Sequence, residues 1–316
     1  MLKELGIQKI HMPLPFRLDH VNCFLAKGEE GYTIIDTGLH DKNAMRIWEQ
    51  ELKDKHVTSI ILTHLHPDHT GYAGVLQEKT NANIWMSPTD ASALQDMWQP
   101  GAVSQLKRDY ELAAMPQEIA GSILEMTEKF PSSITPLPKV TNDLIEGQQL
   151  QIGKDWYEVI ETPGHSAGLV CFYQPEKSIL FSTDHILPRI TPNISYWFYG
   201  EKNPLQSFQN SLEKIKELDA EYVIPSHGDM FTNANQRINE IWHHHEGRLE
   251  VVLDVTKSGA TIFEVCQQMF TRQLSVHDYQ FAIGEAIAHL EYLRAKQLLT
   301  RELVEDVWVY FPPSGK

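Results

Sequence analysis

Three histidines and an aspartate fall within six positions of one short segment, His64, His66, Asp68 and His69, directly after the apolar run 57–62. Side chains on a strand alternate between two faces, so a strand could not direct all four to one point. A tight loop at a strand end can do so. Neutral imidazole and carboxylate groups suit Zn²⁺ and other borderline first-row ions. The segment therefore predicts a metal site, and a polar surface loop that is merely rich in histidine is the weaker interpretation.

Further ligand candidates follow the same pattern of an apolar strand and a short polar turn. They are Asp36 after the run 32–35, His165 after 157–161, Asp184 after 178–183, and His227 after 222–225. Any one of these alone would be typical of a turn or a surface position. Their repetition at successive strand ends predicts that several strands end at one shared site.

The series Asp36-Thr-Gly, His64-x-His66-x-Asp68-His69, Gly164-His165-Ser, Asp184 and Ser226-His227-Gly resembles the metallo-β-lactamase-fold hydrolase superfamily. The resemblance extends from about residue 10 to about residue 230 and implies an α/β fold, a four-layer αββα sandwich with two metal ions at one edge. It implies that the first metal is held by His64, His66 and His165, the second by Asp68, His69 and His227, and that Asp184 bridges them. Asp36 would accept a hydrogen bond that orients an imidazole.

The resemblance also implies a reaction. Two metals about 3.5–4 Å apart can share a hydroxide, which attacks an electrophilic carbonyl or phosphorus. Asp68 would be the catalytic residue, holding the hydroxide and passing a proton to the leaving group. The cofactors would be two divalent metal ions; Zn²⁺ fits the donor set best, and Mn²⁺, Fe or Co stay open. His185, beside Asp184, is either a supporting group or an ordinary buried or solvated histidine.

The composition of the chain bears on its cellular compartment and on the partners it could bind. The 316 residues carry a formal charge of −15, which argues against a broad affinity for nucleic acid. The sequence has no apolar run of bilayer length and no secretory signal at its first residues, so no membrane association is expected. Its three cysteines are far apart within apolar segments, which is typical of a reducing compartment. The expectation is a cytoplasmic protein.

The organisation along the chain predicts two domains. Residues 1–245 would form the catalytic domain, with a helical insertion at about 89–138 whose helices 103–114 and 117–130 could cover the site as a lid. Residues 246–316 are predicted to form three helices followed by a hairpin. The second helix would begin at a capping box at Thr261. This module resembles the winged-helix module attached to some superfamily members, including mitochondrial endoribonucleases.

Two other segments carry candidate side chains. The Pro-rich loop 188–200 has three aromatics predicted to bind substrate, Tyr196, Trp197 and Tyr199, although some of them could instead pack beneath the loop. The histidines at 243, 244 and 245 cannot share one helical face, since each step turns about 100°. One of the three is expected to face the domain junction or a neighbouring acid, and the other two to lie in solvent.

The leading function is hydrolysis of a small-molecule ester, thioester or lactone. Leu187, three positions after Asp184, stands where the quorum-signal lactonases have tyrosine, which weakens the lactone assignment. The alternative is an endoribonuclease or phosphodiesterase, but residues 246–316 balance at 7 − 10 = −3, whereas a phosphate-binding surface is normally basic. A third hypothesis is a nucleic-acid-binding regulator with a structural metal; the seven ligands exceed what a closed four-ligand site needs. The terminal module could also support a homodimer.

Overall fold

The computed structural model describes residues 1–96, 102–129, 134–197 and 200–313. Its first sheet has the strand order β1-β2-β3-β4-β5-β6. The strands are β1 (Ile7–Pro13), β2 (His20–Lys27), β3 (Tyr32–Ile35), β4 (Val57–Ile61), β5 (Asn83–Met86) and β6 (Asn142–Asp143). The first three strands pair antiparallel, and from β3 to β6 the pairing is parallel.

The second sheet runs in the order β12-β11-β10-β9-β8-β7. The strands are β7 (Gln149–Ile152), β8 (Asp155–Glu161), β9 (Val170–Gln174), β10 (Ile179–Thr183), β11 (Tyr222–Pro225) and β12 (Phe231–Thr232). Neighbours are antiparallel except β10 and β11, which are parallel. The carboxyl ends of β10 and β11 therefore lie side by side, as do those of β3 and β4.

Apolar residues from both sheets form one core between them. Phe24 and Ile61 of the first sheet pack with Val159 and Phe181 of the second, and the rings of Phe24 and Phe181 meet edge to face. Strands buried on both faces are rich in apolar residues, as β2 and β10 are here. The two sheets are therefore stacked face to face as the middle layers of the domain.

Helices cover the outer faces of both sheets. The first sheet is covered by α1 (Lys42–Glu51) and α3 (Ala73–Thr80), and the second by α7 (Pro204–Glu217) and α8 (Ala234–Val255), whereas the short helix α2 (Pro67–Thr70) carries Asp68 and His69. Trp48 of α1 and Phe208 of α7 are fully buried anchors of these outer layers. The predicted αββα sandwich is confirmed.

The insertion contains three helices in its described part, α4 (Pro88–Asp96), α5 (Ala102–Leu112) and α6 (Gln117–Lys129). The sequence predicted only the last two. Ile123 of α6 belongs to the same apolar cluster as Ile262 and Ile283 of the terminal module, and Phe263 donates its backbone N–H to the carbonyl of Ala113. These contacts join the insertion to the carboxy-terminal helices, and the lid remains a prediction.

The carboxy-terminal module consists of α9 (Ile262–Met269), α10 (Val276–Ala295) and a sheet of order β13-β15-β14, with β13 (Ala260–Thr261), β14 (Thr300–Val304) and β15 (Val307–Phe311). The capping box predicted at Thr261 is present, since its side chain and that of Glu264 bond each other's backbone N–H. A second capping box, Ser275 with Asp278, begins α10. The winged-helix interpretation of this module stays a prediction.

A single helix crosses the position of the predicted domain boundary. The sequence placed the boundary after residue 245, and α8 runs unbroken across it from Ala234 to Val255. Its inner face carries Ile238, Ile241 and Val252 into the core. None of the helices within the described ranges combines the length and apolar character needed to cross a membrane.

Candidate metal centre

The candidate ligands follow strands that end at one edge of the sandwich. Asp36 and His64 follow the parallel strands β3 and β4, and Asp184 and His227 follow the parallel strands β10 and β11. His165 lies in the turn between β8 and β9. At this edge, Thr63 accepts a backbone hydrogen bond from Val170 at 3.1 Å, which ties the two sheets together.

The structure brings the seven predicted ligand side chains into one cluster. Three groups have ligand atoms that all lie within 4.8 Å of one another: His64 with His66 and His165, His64 with His69 and Asp184, and Asp68 with His69 and His227. We call the first of these the first triad and the last the second triad. The two triads are the sets that the sequence predicted for the first and second metals.

Asp184 lies between the two triads. Its Oδ2 atom is 3.3 Å from Nε2 of His165 in the first triad and 3.3 Å from Nε2 of His227 in the second. The same oxygen is 3.6 Å from Nε2 of His69 and 4.0 Å from Nε2 of His64. With metal–nitrogen bonds of about 2.0–2.1 Å, neighbouring ligands of a tetrahedral zinc ion lie about 3.3 Å apart. The spacing around Asp184 fits ligands of two ions that share one carboxylate.

Several of these buried atoms have no hydrogen-bond partner among the described residues. They are Nε2 of His69, Nε2 of His165, Nε2 of His227 and Oδ1 of Asp184. A buried polar atom without a partner costs about 1–3 kcal/mol, so four of them directed into one space require an explanation. Metal coordination supplies it, and the residues present fit two divalent ions.

Hydrogen bonds at the far side of the rings fix which nitrogen faces inward. The Nδ1 partners are Oγ1 of Thr63 for His64 at 3.1 Å, Oδ2 of Asp36 for His69 at 2.8 Å, the carbonyl of Asn193 for His165 at 2.8 Å and the carbonyl of His20 for His227 at 2.6 Å. Because these partners accept, each Nδ1 carries the proton and each Nε2 presents its lone pair to the cluster.

Asp36 occupies the place that its predicted orienting role requires. Besides the bond from His69, its carboxylate accepts hydrogen bonds from the backbone N–H and the hydroxyl of Thr63, both at 2.9 Å. Asp36 adopts a left-handed backbone with φ of 55°, a conformation that is costly for a residue other than glycine. This turn at the end of β3 directs the carboxylate toward the metal loop.

His185 is buried beside Asp184 but faces away from the triads. Its ring lies edge-on to Phe208, and neither ring nitrogen has a hydrogen-bond partner in the described part of the chain. Burial lowers the pKa of His185 to about 3, so the ring is neutral. Among the two roles that the sequence left open, the structure places this residue with the core histidines.

Two rings of the first triad, His64 and His66, are kept neutral by their surroundings. Burial, together with the imidazoles of His69 and His66, holds the pKa of His64 well below its usual range. Burial and the ring of His165 do the same for the pKa of His66. These rings therefore keep free lone pairs at neutral pH, as metal ligands must.

The second triad favours positive charge. Burial opposes a charge on His69, but the carboxylates of Asp68, Asp36 and Asp184 together raise its pKa well above the usual value. Burial likewise opposes a charge on Asp184, but the imidazoles of His227 and His69 hold its pKa well below the usual range. A metal cation at this position would replace the proton that the carboxylates attract.

Asp90 is a supporting residue that the sequence did not reveal. Its buried carboxylate accepts hydrogen bonds from the backbone N–H of Leu65 at 2.9 Å, the hydroxyl of Ser166 at 2.7 Å and the N–H of Gly168 at 2.7 Å. These bonds connect the loop that carries His64 and His66 to the turn that carries His165. A Cβ at Gly168 would lie 2.2 Å from Oγ of Ser87, so only glycine permits this approach.

The turn that carries His227 is held by the start of β2. Besides the carbonyl of His20, which accepts from His227, the side chain of Asn22 donates to the carbonyls of Pro225 and Gly228 at 3.1 and 2.8 Å. These contacts span more than 200 positions of sequence, and the acceptors are backbone atoms. No side-chain pattern in the sequence could have indicated them.

The aromatic residues of the loop 188–200 do not share one environment. Tyr196 is 5% exposed and packs within the apolar core, which matches the packing role that the sequence left open for some of these residues. Trp197 is partly buried and meets the ring of Phe281 edge-on at 6.4 Å. Tyr199 lies outside the described residues. The substrate-binding role proposed for these aromatics stays a prediction.

A further group of potential ligands lies away from this edge. His245, Glu285 and His289 are all buried, and their ligand atoms lie within 4.8 Å. Nδ1 of His289 bonds the carbonyl of Glu285 at 2.7 Å, so its Nε2 accepts from Nδ1 of His245 at 3.0 Å. Arg248 faces Glu285 at 3.4 Å. Apart from Nε2 of His245, hydrogen bonds and this cation already engage these ligand atoms, and we interpret the group as a polar cluster of the helical core. Of the three consecutive histidines, His245 lies near the acid Glu285, which is one of the two surroundings predicted for one of them, and His243 and His244 are exposed, as predicted for the other two.

The chain matches two protein-family models. The family model described as "Metallo-beta-lactamase superfamily" matches residues 16–227, and the one described as "Metallo-beta-lactamase-like, C-terminal domain" matches residues 249–313. The chain is 26% identical over 318 residues to the probable metallo-hydrolase YqjP of Bacillus subtilis (strain 168), with 96% of each chain covered.

The chain is also similar to a solved structure and to a named hydrolase. The crystal structure of a beta-lactamase domain protein from Burkholderia ambifaria superposes with a TM-score of 0.88 at 28% identity, covering 98% of this chain and 92% of that one. A hydroxyacylglutathione hydrolase of Hydrogenovibrio crunogenus (strain DSM 25203 / XCL-2) is 34% identical over 106 residues, which is 34% of this chain and 36% of that protein.

Proposed function

Because the chain belongs to the metallo-beta-lactamase superfamily and is a metallo-hydrolase, we propose that it hydrolyses small-molecule thioesters, esters or lactones at a centre of two divalent metal ions. One observation carries the proposal. Oδ2 of Asp184 is equally close, at 3.3 Å, to His165 of one ligand triad and His227 of the other. A shared carboxylate between two sets of inward nitrogens is the arrangement that a two-metal hydrolase requires.

The donor set favours zinc. The first ion would be held by His64, His66 and His165, the second by Asp68, His69 and His227, and both by Asp184. Imidazole and carboxylate donors at these separations suit Zn²⁺, although Mn²⁺, Fe and Co accept similar ligands. When bound, such ions would supply an activated water nucleophile and polarise the substrate carbonyl.

Asp68 is the ligand best placed to move a proton. Its side chain is 19% exposed, compared with 7% for that of Asp184, so it borders the open side of the cluster. Its Oδ2 atom is 3.5 Å from Nε2 of both His69 and His227. From this position the carboxylate can accept a proton from water and deliver it to the departing thiol or alcohol.

Aromatic side chains from both domains lie near this open side. Phe16, in the loop before β2, stacks on His277 of α10 with centroids 4.9 Å apart, and His277 lies 5.1 Å from the ring of Phe281. Burial lowers the pKa of His277, and the charges of Asp278 and Asp68 act against this. An apolar acyl group would be accommodated by such a surface.

The charges of the terminal module argue against RNA as the substrate. Within its described part, 246–313, five cations face carboxylates: Arg248 faces Glu285, Lys257 faces Asp254, Arg272 faces Asp278, and Arg294 and Arg301 face Glu291. The remaining one, Lys296, lies over the ring of Tyr292 at 5.3 Å. Cations already engaged in this way offer little to a phosphate backbone.

A substrate panel tests the proposal. Zinc-loaded protein would be assayed with an acylglutathione thioester, a p-nitrophenyl ester, a γ-lactone and a single-stranded RNA. The similarity to a hydroxyacylglutathione hydrolase supports the thioester as the first choice. We expect release of thiol or alcohol, loss of activity with a chelator, and intact RNA.

The Asp68→Asn variant serves as the internal control, because activity from the proposed centre must depend on that carboxylate. Cleavage of RNA without hydrolysis of any carbonyl substrate would overturn the proposal in favour of a phosphodiesterase. Carbonyl hydrolysis that survives both the chelator and Asp68→Asn would also overturn it, because the activity would then come from another site.

A further inference from the structure

The four imidazoles that face inward through Nε2 are not all oriented by the same part of the protein. Three of the acceptors, Thr63, Asp36 and His20, belong to the first sheet and the loops at its edge. The fourth is the backbone carbonyl of Asn193, which accepts from His165 at 2.8 Å. Asn193 lies in the loop after Asp184, and it is the one acceptor of the four held by the carboxy-terminal module.

Helix α10 holds Asn193 through its side chain. Nδ2 of Asn193 donates to Oε2 of Glu285 at 3.1 Å and approaches the carbonyl of Phe281 at 3.4 Å. On the other side of the amide, Oδ1 of Asn193 accepts from the hydroxyl of Ser195 at 2.5 Å. Both ends of the amide are therefore engaged, and the backbone carbonyl that faces His165 is fixed in direction.

The loop also packs against the backbone of α10. Tyr196 donates its N–H to the carbonyl of Gly284 at 2.9 Å. A Cβ at Gly284 would lie 2.6 Å from Oγ and 2.7 Å from Cβ of Ser195, so the glycine is what permits the contact. The helix thus holds the loop through the side chain of Glu285 and the backbone carbonyls of Phe281 and Gly284.

Glu285 itself is held on its second oxygen. Its Oε1 atom lies 3.4 Å from Nε of Arg248 on α8, and the carboxylate is buried. Burial raises the pKa of Glu285. A buried acid between a cation and an amide donor has little rotational freedom, so it presents a fixed acceptor to Asn193.

We propose that Glu285 is a positioning residue, through which the carboxy-terminal module orients His165, by way of Asn193, for the first metal. This inference rests on the proposed metal centre and extends it, because it assigns the terminal module a role in metal binding. Partners that orient a ligand from behind typically change metal affinity by about 10- to 100-fold when removed.

The experiment measures metal binding directly. Chelator competition on metal-free protein would give the number of zinc ions bound and the affinity of each. Glu285→Ala should weaken one of the two ions by about 10- to 100-fold and leave the other nearly unchanged. Asn193→Ala, which keeps the backbone carbonyl but removes its anchor, should weaken the same ion. Glu285→Gln retains an acceptor for Asn193 and should restore most of the affinity.

Glu291 provides the matched control. It is another buried glutamate of α10, and it accepts from Tyr310 at 2.6 Å and from Arg294 and Arg301 at 2.6 and 2.9 Å, with no described bond toward the metal edge. Glu291→Ala should lower the midpoint of thermal unfolding but leave both zinc affinities as in the wild type. This separates a general loss of stability from an effect on His165.

The outcomes distinguish the two proposals. A wild-type protein that binds no zinc would overturn the metal centre and this inference together. If the wild type binds two ions and Asn193→Ala and Glu285→Ala bind them equally well, the positioning role alone is wrong. Equal weakening by Glu285→Ala and Glu291→Ala would also overturn it. Should Glu285→Ala fail to fold, Asn193→Ala and Glu285→Gln decide the matter.

Discussion

Oδ2 of Asp36 accepts a hydrogen bond from Nδ1 of His69 across 2.8 Å, with both groups buried. The same carboxylate bonds the backbone and hydroxyl of Thr63, the residue before His64. One side chain at the end of β3 therefore supports ligands of both proposed metals. Asp36 therefore couples the two sites, and its replacement should be felt at both metals.

Replacing Asp36 by asparagine should weaken zinc binding by about 10- to 100-fold without preventing folding. The amide matches the shape of the carboxylate, but its NH₂ group would meet the N–H of Thr63 or the Nδ1–H of His69. Chelator competition measures the effect. Asp254→Asn, at an exposed ion pair of α8, is the control and should bind zinc like the wild type. Unchanged affinity in Asp36→Asn would show that His69 needs no orienting acceptor.

Asp68→Asn should lower kcat by about 10²- to 10⁴-fold, the usual contribution of a positioned proton carrier. Because Asp68 lies at the open side of the cluster, the midpoint of thermal unfolding should change little. Steady-state kinetics of the metal-loaded variant, with its zinc content measured in parallel, checks this. Near-normal turnover at full metal loading would contradict the role assigned to Asp68.

Asp90→Asn should destabilise the fold by about 1–3 kcal/mol, because the new NH₂ group would leave a buried N–H donor unpaired. Three hydrogen bonds converge on this carboxylate, from Leu65, Ser166 and Gly168. Ser166→Ala removes only one of them and should cost less. Thermal unfolding of the two variants and the wild type tests whether stability falls in the order wild type, Ser166→Ala, Asp90→Asn. Equal stability of Asp90→Asn and the wild type would mean that the two ligand loops do not depend on this connection.

The buried histidines of the helical core predict a pH effect on stability. Burial lowers the pKa of His289 to about 3 and holds that of His245 well below its usual value. Both rings are neutral in the folded protein, whereas an unfolded chain protonates each near pH 6.5. Because the folded protein binds fewer protons than the unfolded chain below about pH 6.5, each ring should lower the free energy of unfolding by ~1.4 kcal/mol per pH unit as the pH falls, in the case of His289 down to about pH 3.

The variant His289→Gln lacks one of these rings. Between about pH 6.5 and pH 4 its free energy of unfolding should therefore fall less steeply than that of the wild type, by ~1.4 kcal/mol per pH unit. Denaturant unfolding at several pH values, with a chelator present throughout, removes the separate effect of metal loss. His243→Gln, whose native side chain is 87% exposed, is the matched control and should show the wild-type slope. The same slope in all three proteins would exclude a buried neutral His289.

The sequence was most informative where ligands are close together in the chain. The loop from His64 to His69 could be interpreted locally, and the strand-end positions of His165, Asp184 and His227 repeat one pattern. The αββα sandwich followed from the resemblance that these residues carry. Their convergence is a property of parallel strands whose carboxyl ends share an edge.

The supporting contacts could not be predicted because they join distant positions. Asp90 bonds residues 76 and 78 positions away, at Ser166 and Gly168. The acceptors for His165 and His227 are backbone carbonyls, of Asn193 and His20, which carry no sequence signal. The boundary predicted after residue 245 rested on a change of pattern, and the change occurs within one continuous helix.

Helix α8 limits how the two predicted domains can move against each other. Its 22 residues make it about 33 Å long, and it carries the chain from the second sheet into the carboxy-terminal module as one unbroken helix. Rotation of one domain against the other would have to bend this helix and break the packing of Ile238, Ile241 and Val252. Within the described residues, α8 therefore provides no hinge at residue 245, and we expect the catalytic domain and the terminal module to keep their arrangement when a substrate binds.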